Sequence, residues 1–374
     1  MHRVYVLYGH QPENMARTIM EKMDIRRDLE CLGTDNPLIG IKPNLVVAQP
    51  ADWGATTSPH LVRGVIEYLC SNGFERLVIL ESSWVGDSTK KAFQVCGYEE
   101  LADEFNLPLV DLKEDDYQEI AVQGMNIKVC RKVLEVDYLI NMPVLKAHCQ
   151  TGITCALKNL KGCIPDEEKR RFHRSDLHYS IACLSKIIPS NLVIVDGIIG
   201  DLTHEEGGNP VLMGRVIAGR NPLFCDIYAA ELLGYAPEQI KYIKYAAELG
   251  LGPLKLTADQ VVELNCNLEA PVISNIIPGQ EVDYLGQWVC ADQACSPCYG
   301  SLIHALARFK ERGLLDQLPK KLFVGQSFKG RKMQGVGIGS CTSGCAEYLP
   351  GCPPRAREIV SFLEELIPIR KGSV

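Results

Sequence analysis

Two short stretches near the C-terminal end carry six cysteines. CADQACSPC places Cys290, Cys295 and Cys298, and CTSGCAEYLPGC places Cys341, Cys345 and Cys352. The two-residue spacing of Cys295 and Cys298 lets one turn aim two thiolates at one metal. Gly339 and Gly344 flank Cys341, and Gly351 precedes Cys352. Glycine permits close backbone approach, so amides can point at inorganic sulfide. Pro353 and Pro354 donate no amide and stiffen the chain between Cys352 and a following helix. These are features of a cuboidal iron–sulfur site. One [4Fe–4S] cluster on Cys295, Cys298, Cys341 and Cys352 is the expected cofactor, with Cys290 and Cys345 in reserve. Spacing leaves two alternatives open: a structural zinc on four cysteines, and thiols packed as small hydrophobes.

A second concentration of chemistry lies at 146–178, KAHCQTGITCALKNLKGCIPDEEKRRFHRSDLH. It holds seven Lys/Arg against four Asp/Glu, three net positive, which leaves ten net negative in the rest of a chain of −7. A local positive site in an acidic protein attracts a small anion such as a carboxylate or phosphate. If 151–163 is helical, Thr151, Thr154, Lys158 and Lys161 share one face and Ile153, Leu157, Leu160 and Ile164 another. The bland counterpart is a basic face turned to water. EEKRR at 167–171 reads as a solvated loop. Among the histidines, His148 is the first acid–base candidate, then His178 and His173, since imidazole titrates near neutrality. A lone histidine is more often neither acid nor base.

Both sets need a scaffold. RVYVLY (3–8), LIGIKPNLVV (38–47), RLVILE (76–81), PLVDL (108–112), DYLINMPVL (137–145) and NLVIVDG (191–197) are runs of branched apolar residues that read as buried strands. SPHLVRGVIEYLCSNG reads as a helix with Ser58 as N-cap, Pro59 in the first turn and Gly73 at the stop. Alternating strands and helices predict an α/β fold with a largely parallel sheet flanked by helices, followed by a cysteine-rich C-terminal module. The texture changes near 285, so the expected domains are 1–285, as one domain or two α/β lobes, and 286–374. Lys42, Asn44, Glu81, Lys146, His148 and Asp196 fall where strands end, and ligands of open α/β sheets gather outside carboxyl ends. Catalytic candidates are therefore Lys146, His148, Glu81 and Asp196, with Asp226 a third carboxylate. The expected anion-binding set is Lys42, Asn44, Thr151, Thr154, Lys158, Lys161 and His178. Polar loops at strand ends are the plain alternative.

Composition narrows the class. With 374 residues, 46% hydrophobic and 23% charged, the chain can bury a large core. No stretch has the ~18 consecutive apolar residues of a membrane span. MHRVYVLYGH lacks a long apolar segment and a cleavage site, so a cytoplasmic protein is expected. Sixteen cysteines in a reducing compartment point to metal, catalysis or an anaerobic host rather than disulfides. Net charge −7 argues against general nucleic-acid binding. No serine-triad or P-loop motif is present.

IKPNLV, TTSPHLVRGVIEYL, GYEELADEF, VDYLINMPVLKAH, TGITCALKNLKG, LHYSIACL, LVIVDGI and NPLFCDIYAAELLGY, in that order, resemble domain-of-unknown-function family 362 over roughly residues 38–250. The resemblance implies the α/β fold and an accompanying iron–sulfur segment. Many members use a bacterial-ferredoxin repeat of C-x-x-C steps, which this chain lacks, so one cluster is implied rather than two. LPGCPP is similar to a motif of cluster-binding small subunits of respiratory complex I and related hydrogenases. A remoter likeness is to the nickel-pincer lactate racemases. Three functions follow as expectations: an iron–sulfur protein of anaerobic redox metabolism with an anionic ligand in a Lys/His cleft; a non-catalytic electron carrier or maturation factor docking on a redox protein; and a racemase- or dehydratase-like enzyme acting on a hydroxy acid. A homo-oligomer is compatible with each.

Overall fold

The computed structural model describes residues 2–265, 278–319 and 321–367. They form two compact units, one drawn from 2–172 and 176–265, the other from 173–175 and 278–367. The helix Pro278–Leu285 belongs to the second unit, so that unit starts earlier than the texture change near 285 suggests.

The strands of the first unit are β1 (Val4–Tyr8), β2 (Ile39–Pro43), β3 (Leu77–Glu81), β4 (Leu109–Asp111), β5 (Tyr117–Val122), β6 (Met125–Cys130), β7 (Tyr138–Met142), β8 (Lys146–His148), β9 (Gly152–Thr154), β10 (Leu192–Asp201), β11 (Pro210–Gly219) and β12 (Val261–Glu263). Eight of them make one sheet in the order β12-β1-β11-β10-β7-β2-β3-β4. Every neighbouring pair is parallel except the two that involve β11. The remaining four strands form two separate hairpins, β5–β6 and β8–β9.

Period-2 alternation sorts the strand residues onto two cores. Ile39, Ile41, Leu77, Ile79, Tyr138, Ile140, Leu192 and Ile194 pack beneath the helices Pro12–Lys22 and Pro59–Ser71. Val78, Leu80, Leu139, Val193 and Val195 face the opposite side, with Leu157, Ile181, Phe224 and Ile243 of the covering helices. Burial on both faces explains why these strands read as unbroken apolar runs.

The first helix boundary follows its sequence signals, with a change of partner. Pro59–Ser71 starts after Ser58, and Gly73 takes φ +85° just beyond its end. Ser58's own side chain makes no cap; instead its amide donates to Asp196 Oδ2 at 2.8 Å.

Residues 151–163 are not one helix. β8 and β9 form an antiparallel hairpin with Lys146 opposite Thr154. Helix begins only at Ala156, runs to Asn159 and tightens into a 3₁₀ turn, Leu160–Cys163. Gly152 sits at φ +75°, which a continuous right-handed helix excludes. EEKRR also departs from expectation: it lies in the helix Asp166–Arg174, with Glu168 and Lys169 buried.

The second unit holds β13 (Val289–Ala291), β14 (Leu322–Val324), β15 (Met333–Ile338) and β16 (Cys345–Leu349), ordered β13-β14-β15-β16 and all parallel. Parallel neighbours need a crossover, which the helix Ser296–Glu311 supplies between β13 and β14. Leu302, Ile303, Leu306 and Phe309 of that helix are buried, as are Ile359 and Leu363 of the closing helix Ala356–Leu366.

Candidate functional site

The carboxyl ends of β2 and β3 bring Lys42 and Glu81 together. Lys42 Nζ lies 2.8 Å from Glu81 Oε1, both side chains being essentially inaccessible. Lys42 also donates to Pro43 O at 2.6 Å. Glu81 accepts the amides of Leu45 and Ser82, each at 2.7 Å. Gly162 seals the pair: a Cβ there would overlap Glu81 Oε1 and stand 2.6 Å from Lys42 Nζ. Lys42 and Glu81 therefore brace three loops, and neither presents an open face. Because the buried pair cannot swing aside, Gly162→Ala is expected to lower unfolding free energy by about 1–3 kcal/mol, measured by urea titration.

Beside this pair runs a ladder of buried amides. Asn44 Nδ2 donates to Asn159 Oδ1, and Asn159 Nδ2 to Asn141 Oδ1, both at 2.8 Å. Lys146 closes the ladder: its ammonium donates to Ala55 O at 2.6 Å, Glu205 O at 2.8 Å and Asn44 Oδ1 at 3.4 Å. Three acceptors match three ammonium hydrogens. Burial, and then the neighbouring Lys158, pull the Lys146 pKa down to about 7.

The groups with partial exposure stand on the β8–β9 hairpin and the turn after it. Cys149, Gly152 and Lys158 are half-buried, whereas His148, Thr151 and Thr154 are buried. Lys158 Nζ donates to Thr154 Oγ1 at 3.3 Å, and burial brings its pKa down to about 8. Thr151 Oγ1 donates to Ile153 O at 3.0 Å. Lys161, in the 3₁₀ turn, is half-buried. His178 lies in the first turn of the helix Leu177–Ile187, where burial lowers its pKa. The hairpin thus gathers Lys146, His148, Thr154 and Lys158, while Thr151 is engaged by backbone.

Glu205 and Cys149 join this group, and the sequence did not single them out. Cys149 Sγ donates to Glu205 Oε1 at 2.8 Å and its amide to Oε2 at 3.1 Å. His148 Nε2 stands 3.6 Å from Glu205 Oε1. Glu205 rides on the β10–β11 connection, which Asp201 pins through the amides of Thr203, His204 and Asn209. Gly207 at φ +77° lets that loop press on Trp53 O.

Asp196 works elsewhere. Its carboxylate accepts Ser58 N and Ile198 N and lines a cleft of about 550 Å³ with His10, Ser58, His60, Cys96 and Leu212. Burial raises its pKa to about 6. The folded state then holds the proton more tightly than the unfolded chain. Stability from this group is complete below about pH 4 and is lost as pH rises through about 6. Asp196→Asn should flatten that part of the pH–stability profile, followed by thermal unfolding between pH 4 and 7. Asp226 is structural, its carboxylate capping the amides of Ala156 and Leu157.

In the second unit the loops after all four strands leave the same, carboxyl edge, where Ala291, Val324, Ile338 and Leu349 end in mutual register. Cys295 and Cys298 follow β13, Cys341 follows β15 and Cys352 follows β16. Ser340 N donates to Gly351 O at 2.8 Å, so the residues preceding Cys341 and Cys352 are bonded to each other. Cys298 Sγ lies 3.6 Å from the position a Gly339 Cβ would take. Gln326, in the loop after β14, donates to Cys295 Sγ at 3.4 Å. Cys290 sits inside β13, and Cys345 opens β16 level with Met333 at the far edge. His173 belongs to this unit, Nε2 standing 3.5 Å from Ser296 Oγ.

The first unit is a helix-flanked, mostly parallel α/β sheet with a buried lysine–asparagine network at strand ends; the second is a small parallel sheet edged with cysteines. The chain belongs to the DUF362 family, a domain of unknown function, whose match spans residues 39–231, all of them in the first unit except 173–175. It is 25% identical over 223 residues to the thylakoid-associated protein sll1697 of Synechocystis sp. (strain ATCC 27184 / PCC 6803 / Kazusa), covering 57% of this chain and 68% of that relative. It also aligns with the lactate racemase apoprotein from Thermoanaerobacterium thermosaccharolyticum at TM-score 0.41 and 13% identity, over 61% of this chain and 56% of that one. Among the described residues no helix is long and apolar enough to cross a membrane.

Proposed function

We propose that the protein is an iron–sulfur protein of reductive, oxygen-sensitive metabolism. Its C-terminal unit would hold one [4Fe–4S] cluster on Cys295, Cys298, Cys341 and Cys352, and its α/β unit a small anionic molecule beside Lys146, His148, Thr154 and Lys158. The observation that carries this reading is the convergence of the cysteine-bearing loops on one carboxyl edge. A bound cluster supplies one-electron chemistry when four thiolates saturate it, and an open iron when three do. Gly339 carries no Cβ where one would stand 3.6 Å from Cys298 Sγ, and the Gln326 carboxamide is a hydrogen-bond donor to sulfur of the kind that tunes cluster potential. Unpaired cysteines with partial or full exposure on one edge also suit a reducing compartment such as the cytoplasm.

Anaerobic purification tests the cluster. A brown protein with about four iron and four sulfide per chain supports it; a colourless protein, or one carrying zinc, overturns it. A thermal-shift screen of organic acids and phosphates tests the anion pocket, because a ligand that binds only the native state raises its melting temperature. Lys158→Met should abolish the shift. The complete engagement of Lys42 by Glu81 and of Lys146 by three acceptors favours a second reading, an electron carrier docking on a redox partner. Absence of any stabilising acid, with the cluster intact, selects that reading.

A further inference from the structure

His148, Cys149 and Glu205 look at first like a metal trio, since one ligand atom of each lies within 4.8 Å of the others. The histidine's hydrogen bonds argue otherwise. His148 Nδ1 accepts the amides of Gln150 at 3.0 Å and Thr151 at 3.3 Å. A ring nitrogen that accepts carries no proton, so in the neutral imidazole the proton sits on Nε2. Nε2 then points a donor, not a lone pair, toward Glu205. The carboxylate accepts from the Cys149 amide and the Cys149 thiol, and the His148 ring stands 3.6 Å behind it, near enough to orient it electrostatically. A nucleophile within hydrogen-bond reach of a base, with the base oriented by a third group, is the signature of covalent catalysis.

We infer that Cys149 is a nucleophile, Glu205 its general base and His148 the positioning residue, and that the site takes a small electrophile bearing a carboxylate. The carboxylate preference comes from Lys158. Its half-buried ammonium is held at Thr154 Oγ1, and its charge acts on both Cys149 and Glu205. Cys149, Gln150, Gly152 and Lys158 are partly exposed to solvent, whereas Glu205 and His148 are buried. Burial, then the charge of Glu205, hold the thiol pKa well above its ordinary value. The thiol therefore rests protonated and must pass its proton to Glu205 as it attacks. With a carbonyl substrate, sulfur bonds to the carbonyl carbon, the C=O π bond opens, and the oxygen takes that proton back from Glu205. The product is a hemithioacetal, formed without oxidant or reductant. Lys146 fixes the geometry by holding Glu205 O at 2.8 Å.

This inference rests on the anion pocket proposed above, and two reagents of equal size test it on the intact protein under anaerobic conditions. Iodoacetate carries a carboxylate and iodoacetamide does not. Each alkylates sulfur with loss of iodide, and peptide mass spectrometry follows Cys149 against the exposed Cys31. Cys149 should react about tenfold faster with iodoacetate than with iodoacetamide, a preference absent at Cys31. Lys158→Met should remove the preference. Glu205→Gln should slow both reagents about a hundredfold at Cys149 and leave Cys31 unchanged. Equal rates with the two reagents, or an unlabelled Cys149 when Cys31 is saturated, overturn the inference. The pocket is judged separately in Cys149→Ala: an organic acid that still raises the melting temperature keeps the pocket and confines the failure to the nucleophile.

Discussion

Glu81→Ala is expected to destabilise the first unit by about 3–5 kcal/mol, a large share of the 5–15 kcal/mol that holds a typical domain together. The change strands the Lys42 ammonium in a fully buried position with Pro43 O as its remaining acceptor. It also removes the acceptor for the amides of Leu45 and Ser82. Breaking one side of a buried pair leaves an uncompensated charge, which is why the effect exceeds that of any surface ion pair in this chain, such as Lys90–Glu114. A double-mutant cycle separates bracing from catalysis. Lys42→Met combined with Glu81→Gln removes both charges and keeps one oxygen for the loop amides. The pair should therefore be less destabilised than the sum of the single changes by at least about 1 kcal/mol, read from chemical unfolding. If Glu81→Ala folds as well as the parent and loses only ligand-induced stabilisation, the carboxylate faces a ligand and the brace assignment is wrong.

The central strands were legible because burial on both faces leaves them no reason to alternate, so each appears as a dense run of Val, Ile and Leu. Ser58, Pro59 and Gly73 punctuated one helix at its true ends. Strand-end logic also picked Lys42, Asn44, Glu81 and Lys146 out of the chain. What it could not supply was mutual engagement. Lys42 and Glu81 are 39 positions apart, and only the register of β2 against β3 brings them to 2.8 Å.

Residues 151–163 failed for a definite reason. Ile153, Leu157, Leu160 and Ile164 recur at helical spacing, yet Gly152 to Thr154 pair back onto Lys146 to His148, with Gly152 at a positive φ that starts the return strand. Tertiary pairing overrode a periodicity of only three turns. Glu205 was invisible because HEEGG reads as an ordinary polar loop, and its partner Cys149 is distant in sequence. The sequence DLTHEEGGN does carry one signal. Asp201 with a threonine two residues on marks a loop rigidified by its own side chain, and rigid loops between long strands are where functional carboxylates are placed. Lys169 is the converse case: a charged run has the composition of solvated surface, yet its ammonium is buried against Ser82 O, Ser83 O and Asp166.

The largest effect in the second unit is expected from single cysteine substitutions. Four of the six tail thiols stand on loops that leave one sheet edge, and two do not. Serine at 295, 298, 341 or 352 should each cut iron per chain several-fold, because a multi-iron core needs all its thiolates at once and oxygen ligands hold it poorly. Cys345→Ser should leave iron content near that of the parent. That thiol opens β16 at the far edge, and burial raises its pKa, which disfavours the thiolate a metal needs. Cys290, half-buried within β13, should behave as Cys345 does. Ser340→Ala and Gln326→Ala add a finer test. The first breaks the Gly351 N to Ser340 Oγ bond that ties the Cys341 and Cys352 loops, and the second removes a donor to Cys295 sulfur. Both should leave about four irons in place while shifting the reduction potential or hastening loss in air, since groups around a cluster tune it without holding it. Iron analysis on the anaerobic protein gives the first answer and electrochemistry the second. Equal iron loss at all six positions would mean that the tail has unfolded rather than lost a ligand, and iron loss confined to Cys290 and Cys345 would move the core to the other edge of the sheet.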